Sequence, residues 1–382
     1  MKQYLAALLA VSFCILPAQA TVTGSPEVDA GAALLMEKET GEILYEHNAH
    51  DRLEPASVTK VMTLLLVMEA IDTGLLSKED MVQVSARAAS MGGSQVYLKE
   101  GETMSVHDLL KATAVASGND ASVALAERLA GSESAFVERM NQRAQELGMS
   151  DTTFLNCTGL PAPGHLTSAH DIALMSRELI LNHPSIREYT TIWMDSLRDG
   201  AFQLANTNKL IRFYDGATGL KTGSTDAARF CISATAERDG MELIAVILKS
   251  PTKDTRTATA KSMLDFGFAN YTVLDARPAQ ALPPVKVLLG QQDYVQPVLA
   301  QTGRILVEKA QVNNLETSLS LCEDVEAPVA AGQKLGEMTV TWIPKVDGQV
   351  KEVIDIVSAQ EVSRLTTFGI FRELLDRFFL AK

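Results

Sequence analysis

The sequence predicts an α+β protein whose first and larger part is built on an antiparallel sheet, with helices on its faces. Hairpin patterns stand near the start and near the end of that part, and the stretch between them has mostly helical apolar spacing. Strands drawn from both ends of a segment, with helices from its middle, suit one sheet closed by the termini and covered on its faces. A Pro/Ala-rich stretch then leads into short β-like runs, so a small all-β unit is expected behind it, and the tail reads as an amphipathic helix.

Taken in order, residues 1–20, "MKQYLAALLAVSFCILPAQA", read as an export signal. Lys2 gives the positive start, Leu5 to Leu16 the apolar core, and Ala18-Gln19-Ala20 a small-x-small cleavage site. The apolar stretch is shorter than the roughly 20 residues that a membrane span needs. The expected catalytic domain covers 21–275. "AALLMEKETGEILYEH" (Ala32 to His47) forms a hairpin around Glu39-Thr40-Gly41. Val61 to Ile71 is apolar nearly all round and predicts a buried central helix. Helical spacing recurs at Ala121–Ala130, Glu133–Leu147 and Ser168–Leu181. "RFCISATAERDG" and "MELIAVILK" flank the turn dipeptide Asp239-Gly240. A last helix is expected in Lys261–Tyr271, ending near Gly267.

Residues 276–284 read as a linker, 285–357 as the small β-rich domain, and 358–382 as an amphipathic helix. In that tail Leu365, Phe368, Phe371, Leu375, Phe378 and Phe379 share one broad helical face, with Arg372, Asp376 and Arg377 opposite. The charges disfavour a spanning helix and favour one lying on the membrane surface. The alternative is a helix docked on its own β unit.

Composition narrows the function classes. The chain has 382 residues, 46% of them hydrophobic, which is enough for a sizeable core and more than one domain. Its formal net charge of −13 and the lack of any basic run exclude a nucleic-acid partner. Once the signal carries Cys14 away, Cys157, Cys231 and Cys322 remain, without CxxC spacing, so neither a disulfide framework nor a zinc knuckle is indicated. His47, His50, His107, His165, His170 and His183 form no His-Glu-x-x-His pattern, and neither metal nor cofactor is expected.

The chemistry starts in "EPASVTKVMTLLLVMEAI", Glu54 to Ile71. Ser57 could be a plain helix N-cap, but a capping box would have Glu or Gln where Lys60 stands. A cation in a first helical turn faces the positive end of the helix dipole, and apolar neighbours desolvate it. Both effects favour the neutral amine. A neutral amine one turn from a hydroxyl can act as its general base, which activates serine without histidine. Alone the pattern is weak, since Ser250-Pro251-Thr252-Lys253 has the same letters at an expected strand-to-helix turn. Two further groups strengthen it. Ser117-Gly118-Asn119 lies in a small-residue loop between helices. Lys221-Thr222-Gly223 comes just ahead of a strand expected to begin near Arg229.

Ser-x-x-Lys, Ser-x-Asn and Lys-Thr-Gly in this order resemble the active-site set of the penicillin-recognising serine enzymes. More narrowly, the chain is similar to the low-molecular-mass penicillin-binding D-alanyl-D-alanine carboxypeptidases, with "PASVTKVMT", "NCTGLPAPGHLTSAHDIALMSREL" and "DGATGLKTGSTDAA" carrying the likeness. That resemblance implies a β-lactamase/DD-peptidase-like catalytic fold and a peptidoglycan stem peptide ending in D-Ala-D-Ala as substrate. β-Lactam antibiotics are implied as inhibitors. It implies Ser57 as nucleophile, Lys60 as base, Ser117 and Lys221 as a proton relay, and Asn119 as a holder of the substrate amide. Backbone N–H groups of Ser57 and Ser224, beside Gly223, would form the oxyanion hole, and Thr222 with Arg256 would bind the terminal carboxylate. Ser224 is a small residue where some members carry a bulkier one.

Three rival readings stay open at this point. "ELILN" (Glu178 to Asn182) matches the letters of the loop that activates water in class A β-lactamases, although it continues a helical run. A catalytically inactive wall-binding or sensor relative is the second. Metal-dependent hydrolysis of the same substrate is the third.

Overall fold

The computed structural model describes residues 24–278, 280–342 and 350–371. The export signal read at 1–20, and the tail positions from Arg372 onward, lie outside the described residues. The first part opens with strands β1 (Ala32–Glu37) and β2 (Ile43–His47), paired antiparallel as the hairpin pattern predicts. Helices α1 (Lys60–Asp72), α2 (Val106–Val115), α3 (Asn119–Ala130), α4 (Glu133–Glu146) and α5 (Ala169–Asn182) follow. Strands β3 (Ala217–Thr225), β4 (Arg229–Arg238) and β5 (Met241–Ser250) and helix α6 (Lys253–Asn270) complete the part. The sheet runs β2-β1-β5-β4-β3, antiparallel throughout.

Side-chain alternation sorts the sheet's residues between two cores. Leu34, Met36, Val246 and Leu248 face the cluster that contains α1, α3 and α5. Leu35, Leu243, Ala245 and Ile247 face Ala260, Met263 and Leu264 of α6. Covered on both faces, β1 is buried along its whole length. Helix α1 is buried from Lys60 to Met68, as its all-round apolar sequence requires. Each such Leu, Val or Met contributes about 1.5–3 kcal/mol by leaving water, opposed by the entropy of ordering the chain. Four of the six helix entrances are capped by side chains: Ser105 accepts from Asp108 N–H, Ser132 from Ala135, Ser168 from Asp171 and Thr252 from Thr255. No side-chain cap bond forms at the 3-10 turn Ala56–Thr59 or at the start of α1, so Ser57 is not spent as an N-cap.

Three expectations are corrected. The last helix begins at Lys253 and passes through Gly267 to Asn270. Gly267 serves close packing instead of a stop, since a Cβ there would lie 2.4 Å from Leu243 Cδ1. As expected, Lys221-Thr222-Gly223 comes just ahead of the strand that begins at Arg229, and it lies itself on the edge strand β3. The chain enters the β unit before the expected linker, because Tyr271–Asp275 pairs with Arg304–Glu308. Finally, the tail is not helical from Ser358. Val362 bridges Val329 and Arg364 bridges Gly290, and helical hydrogen bonding begins only at 367. Val362 is buried in the β unit, so this segment gains more by pairing there than by coiling.

The β unit holds two further sheets. One orders Pro297–Leu299, Val350–Ser358, Lys334–Trp342 and Glu316–Leu321 side by side. The other orders Tyr294–Val295, Val285–Leu288 and Asp324–Glu326. Among the described residues no helix is long and apolar enough to cross a membrane.

Candidate active site

Three separate chain segments meet at Ser57. The turn that carries it is entered through Ala56 in a left-handed conformation, φ 48°. Its position is set from outside. Gly159 presses on it so closely that a Cβ would stand 1.8 Å from the Ala56 carbonyl oxygen. From β3, a Cβ on Gly223 would stand 2.8 Å from the Ser57 nitrogen. Two glycines far apart in sequence therefore let a loop and a strand close on the same backbone.

Lys60 lies one turn below Ser57 with no exposure to water. Its Nζ is 3.0 Å from Ser57 Oγ, 2.6 Å from Asn119 Oδ1 and 2.7 Å from the Thr158 carbonyl oxygen. Burial pushes its pKa down to about 7, against the opposing pull of Cys157 and Asp120. Asn119 is fixed in turn, because its Nδ2 donates to the Gly92 carbonyl at 2.7 Å. One Nδ2 hydrogen is left over.

Ser117 also holds a left-handed backbone, φ 63°, and its buried Oγ has no hydrogen-bond partner among the described residues. Such strain, worth about 1–3 kcal/mol, is usually kept where function needs it. Lys221 is fully buried on β3 and donates to the Thr222 carbonyl at 2.9 Å. Burial depresses its pKa strongly, and the charges of Lys60 and Arg256 add to the effect. Thr222 Oγ1 donates to Thr207 Oγ1 at 2.7 Å. Arg256, on the first turn of α6, is nearly buried and reaches the Cys231 carbonyl at 3.4 Å. Its Nε has no partner among the described residues, and burial lowers its pKa, opposed by Cys231 and Asp254.

Ser57, Ser117, Thr222, Gly223, Ser224 and Arg256 line one cleft of about 370 Å³. Lys60, Asn119 and Lys221 sit beneath its floor. All nine residues named from the sequence thus fall in one place. The second Ser-x-x-Lys does not: Ser250 Oγ donates to the Asp29 carbonyl at 3.0 Å, while Lys253 stands exposed at the entrance of α6. Glu178, the acid of the β-lactamase-like letters, sits on α5, held by Arg143 at 2.6 Å and Asn182 at 2.9 Å. That engagement ties helices together and leaves Glu178 out of the cleft lining.

Sequence reasoning missed several supports. Asp120 is buried and accepts from the N–H groups of Val96 and Leu98, both at 3.0 Å, which fixes the loop facing Asn119. His165 accepts from Leu155 N–H at Nδ1 (3.0 Å), which places its proton on Nε2, 2.8 Å from Thr59 Oγ1. Burial pushes its pKa down to about 4, so it is a neutral strut between the 157–165 loop and the nucleophile's turn. Gly159 was visible only as a letter in "NCTGL", and nothing in the sequence indicates which backbone it would touch.

This sheet-and-helix arrangement, with a serine over a desolvated lysine in its cleft, defines the class of the serine DD-peptidases and β-lactamases. Residues 19–252 match the family described as D-alanyl-D-alanine carboxypeptidase, and residues 279–364 match the C-terminal domain of penicillin-binding protein 5. The chain belongs to the D-alanyl-D-alanine carboxypeptidase family. It is 42% identical over 341 residues to the D-alanyl-D-alanine carboxypeptidase DacF of Bacillus subtilis, covering 88% of this chain and 86% of that protein. The crystal structure of penicillin-binding protein 5 from Haemophilus influenzae is similar, with a TM-score of 0.78 and 28% identity over 89% of this chain and 99% of that one. Penicillin-binding protein D2 of Listeria monocytogenes, in its ampicillin-bound form, covers 63% of this chain and 98% of its own, with a TM-score of 0.58 and 36% identity.

The Gly159 contact gives a direct test. Gly159→Ala would drive a methyl group into the Ala56 carbonyl and displace Ser57. Acylation by a fluorescent penicillin is expected to slow by about 10²-fold, the cost of a misplacement near 1 Å. An unchanged labelling rate would show that the loop does not position the serine.

Proposed function

We propose that the protein is a serine D-alanyl-D-alanine carboxypeptidase that trims the terminal D-alanine from peptidoglycan stem peptides and is acylated by penicillin. The observation that carries this is Lys60 Nζ at 3.0 Å from Ser57 Oγ, in a site dry enough to hold the amine near neutrality. Asn119 Oδ1 and the Thr158 carbonyl are both acceptors. A neutral amine has two N–H bonds, and these two acceptors use both of them. Its lone pair is then left for the Ser57 hydroxyl proton.

In this reading Ser57 Oγ attacks the carbonyl carbon of the penultimate D-alanine while Lys60 takes its proton. The N–H groups of Ser57 and Ser224 hold the oxyanion. Ser117, with Lys221 behind it, passes a proton to the departing amine as the C–N bond breaks and takes in its place the proton held by Lys60, which returns Lys60 to its neutral form. Asn119 holds the substrate amide with its remaining hydrogen. Thr222 and Arg256 bind the terminal carboxylate, for which a guanidinium is suited. Water then attacks the ester, Lys60 again accepting a proton, and Ser57 is restored. A β-lactam enters the same acylation step, but its leaving group stays attached and the ester clears slowly.

Residues 1–20 are proposed to export the chain to the outer face of the cytoplasmic membrane, with 21–270 as catalytic domain and the β unit that begins at Tyr271 as a spacer. The final segment is proposed to anchor the protein peripherally. Support comes from Phe368 and Phe371, which are 77% and 59% exposed at the start of the terminal helical turn.

Peptide mapping after labelled penicillin should place the label on the fragment containing Ser57, and Ser57→Ala should abolish it; label on another residue would refute the assignment. The acylation rate should depend on pH through Lys60. Since only the neutral amine can accept the proton, the rate should fall about tenfold per pH unit below 7 and level off above it. A flat profile down to pH 5 would remove Lys60 as the base. Deleting residues 366–382 should move the protein from vesicles containing anionic lipid to the soluble fraction; persistent sedimentation with the vesicles would end the anchoring proposal.

A further inference from the structure

Where the β unit meets the catalytic half, the described residues form a second cavity, larger than the catalytic cleft. It measures about 870 Å³, within the size range of ligand sites. Glu42, Ile43 and Leu44 form one wall, extended by Leu181 of α5. Tyr271, Leu306 and Glu308 form the other. Leu44 is skipped in the pairing of β1 with β2, and this bulge lets it line the space beside Ile43. Ile43 remains 38% exposed. None of these residues lines the catalytic cleft.

The charges of this groove do not balance. Arg177 donates to the Lys38 and Glu39 carbonyls at 2.6 and 2.8 Å. Arg304 is held by the Gly240 carbonyl at 3.0 Å and the Glu39 carboxylate at 3.5 Å. Glu42, Glu308 and Glu352 line the groove with neither an ion pair nor a side-chain hydrogen bond among the described residues. The arginines are spent and these three acids are not.

Glu352 stands in an unusual place for an acid. It is opposite Val340 in the strand register, and Val340 belongs to the core of the β unit. Directly opposed residues share a face, so this carboxylate lies on the side of the sheet that makes the core. Burial and the charge of Glu42 raise its pKa. Carboxylates from both halves of the molecule thus approach one another at the groove, which favours a cationic occupant. The three acids come from separate segments, so a single small ion would not meet them all. It would also leave exposed Ile43 and half-buried Leu44 and Leu306 uncovered.

We propose that the groove binds a peptide segment of a partner protein in which basic side chains alternate with apolar ones. The cations pair with Glu42, Glu308 and Glu352, and the apolar side chains cover Ile43, Leu44 and Leu306. Such charge complementarity fixes the register of the segment and speeds its encounter. The inference goes beyond the carboxypeptidase reading and does not depend on it. A partner docked at this junction leaves the cleft open to its own substrate, since the two sites share no lining residue.

The test uses the full chain and the fluorescence anisotropy of a labelled octapeptide that alternates lysine with valine. It is expected to bind about tenfold more tightly than its glutamate–valine counterpart, and to weaken about tenfold between roughly 0.05 and 0.5 M salt. In variants shown to be folded by circular dichroism, Glu42→Gln and Glu352→Gln should each weaken binding about fivefold. Glu46→Gln, on β2 but outside the groove lining, should leave it unchanged. No binding of the lysine peptide, or equal losses in Glu46→Gln and Glu42→Gln, would overturn the inference. Displacement of the peptide by an equal concentration of spermidine would overturn it in favour of a small polycation. A dimer in sedimentation that Glu42→Lys dissociates would overturn it in favour of a second copy of this chain.

Discussion

The catalytic half is organised around keeping a lysine without charge at the centre of a protein. Lys60 opens the most deeply buried helix of the fold, and its low pKa follows from that burial. Its hydrogen-bond acceptors, Asn119 Oδ1 and the Thr158 carbonyl, are neutral dipoles. A carboxylate in either place would stabilise the ammonium form and disarm the base. The nearby acid, Asp120, instead accepts from the Val96 and Leu98 N–H groups. Lys221 is governed in the same way: burial lowers its pKa, and the charges of Lys60 and Arg256 add to the effect. The all-apolar stretch from Val61 onward is thus both the core of the fold and the reason the chemistry is available.

Much of this was legible in the sequence because it is local. The spacing of Ser57 and Lys60, the small-residue loop at Ser117, and the turn at Asp239-Gly240 each fit within a few residues. The strand at Arg229 was expected behind Lys221-Thr222-Gly223, but the letters of the triplet do not mark it as a strand of its own. Only in the sheet is it clear that Gly223 is needed for close approach to Ser57 and that Lys221 is buried by its neighbours. The extent of α6 was misjudged for a related reason: Gly267 fills a tight contact with Leu243 instead of ending the helix. The Lys60 network stayed hidden because its members come from residues 57, 119 and 158, and no short-range pattern records which of them meet.

The β unit is joined to the catalytic half without slack. Helix α6 ends at Asn270 and Tyr271 begins a strand that pairs with Arg304–Glu308. Arg304 reaches back to the Gly240 carbonyl at 3.0 Å and to Glu39 at 3.5 Å, and Lys309 donates to the Phe268 carbonyl at 2.7 Å. None of these residues is among those that line the cleft.

The contact of Gly159 with Ala56 also bears on how the molecule comes into being. Ser57 is aimed by a loop about a hundred residues away and by a strand further still, not by its own helix. Closing such long loops in the chain is entropically costly and comes with the assembled topology. Helix α1 can therefore form before its serine is competent. Reactivity at Ser57 belongs to the completed tertiary structure, which keeps an acyl-forming nucleophile idle until the fold around it has closed.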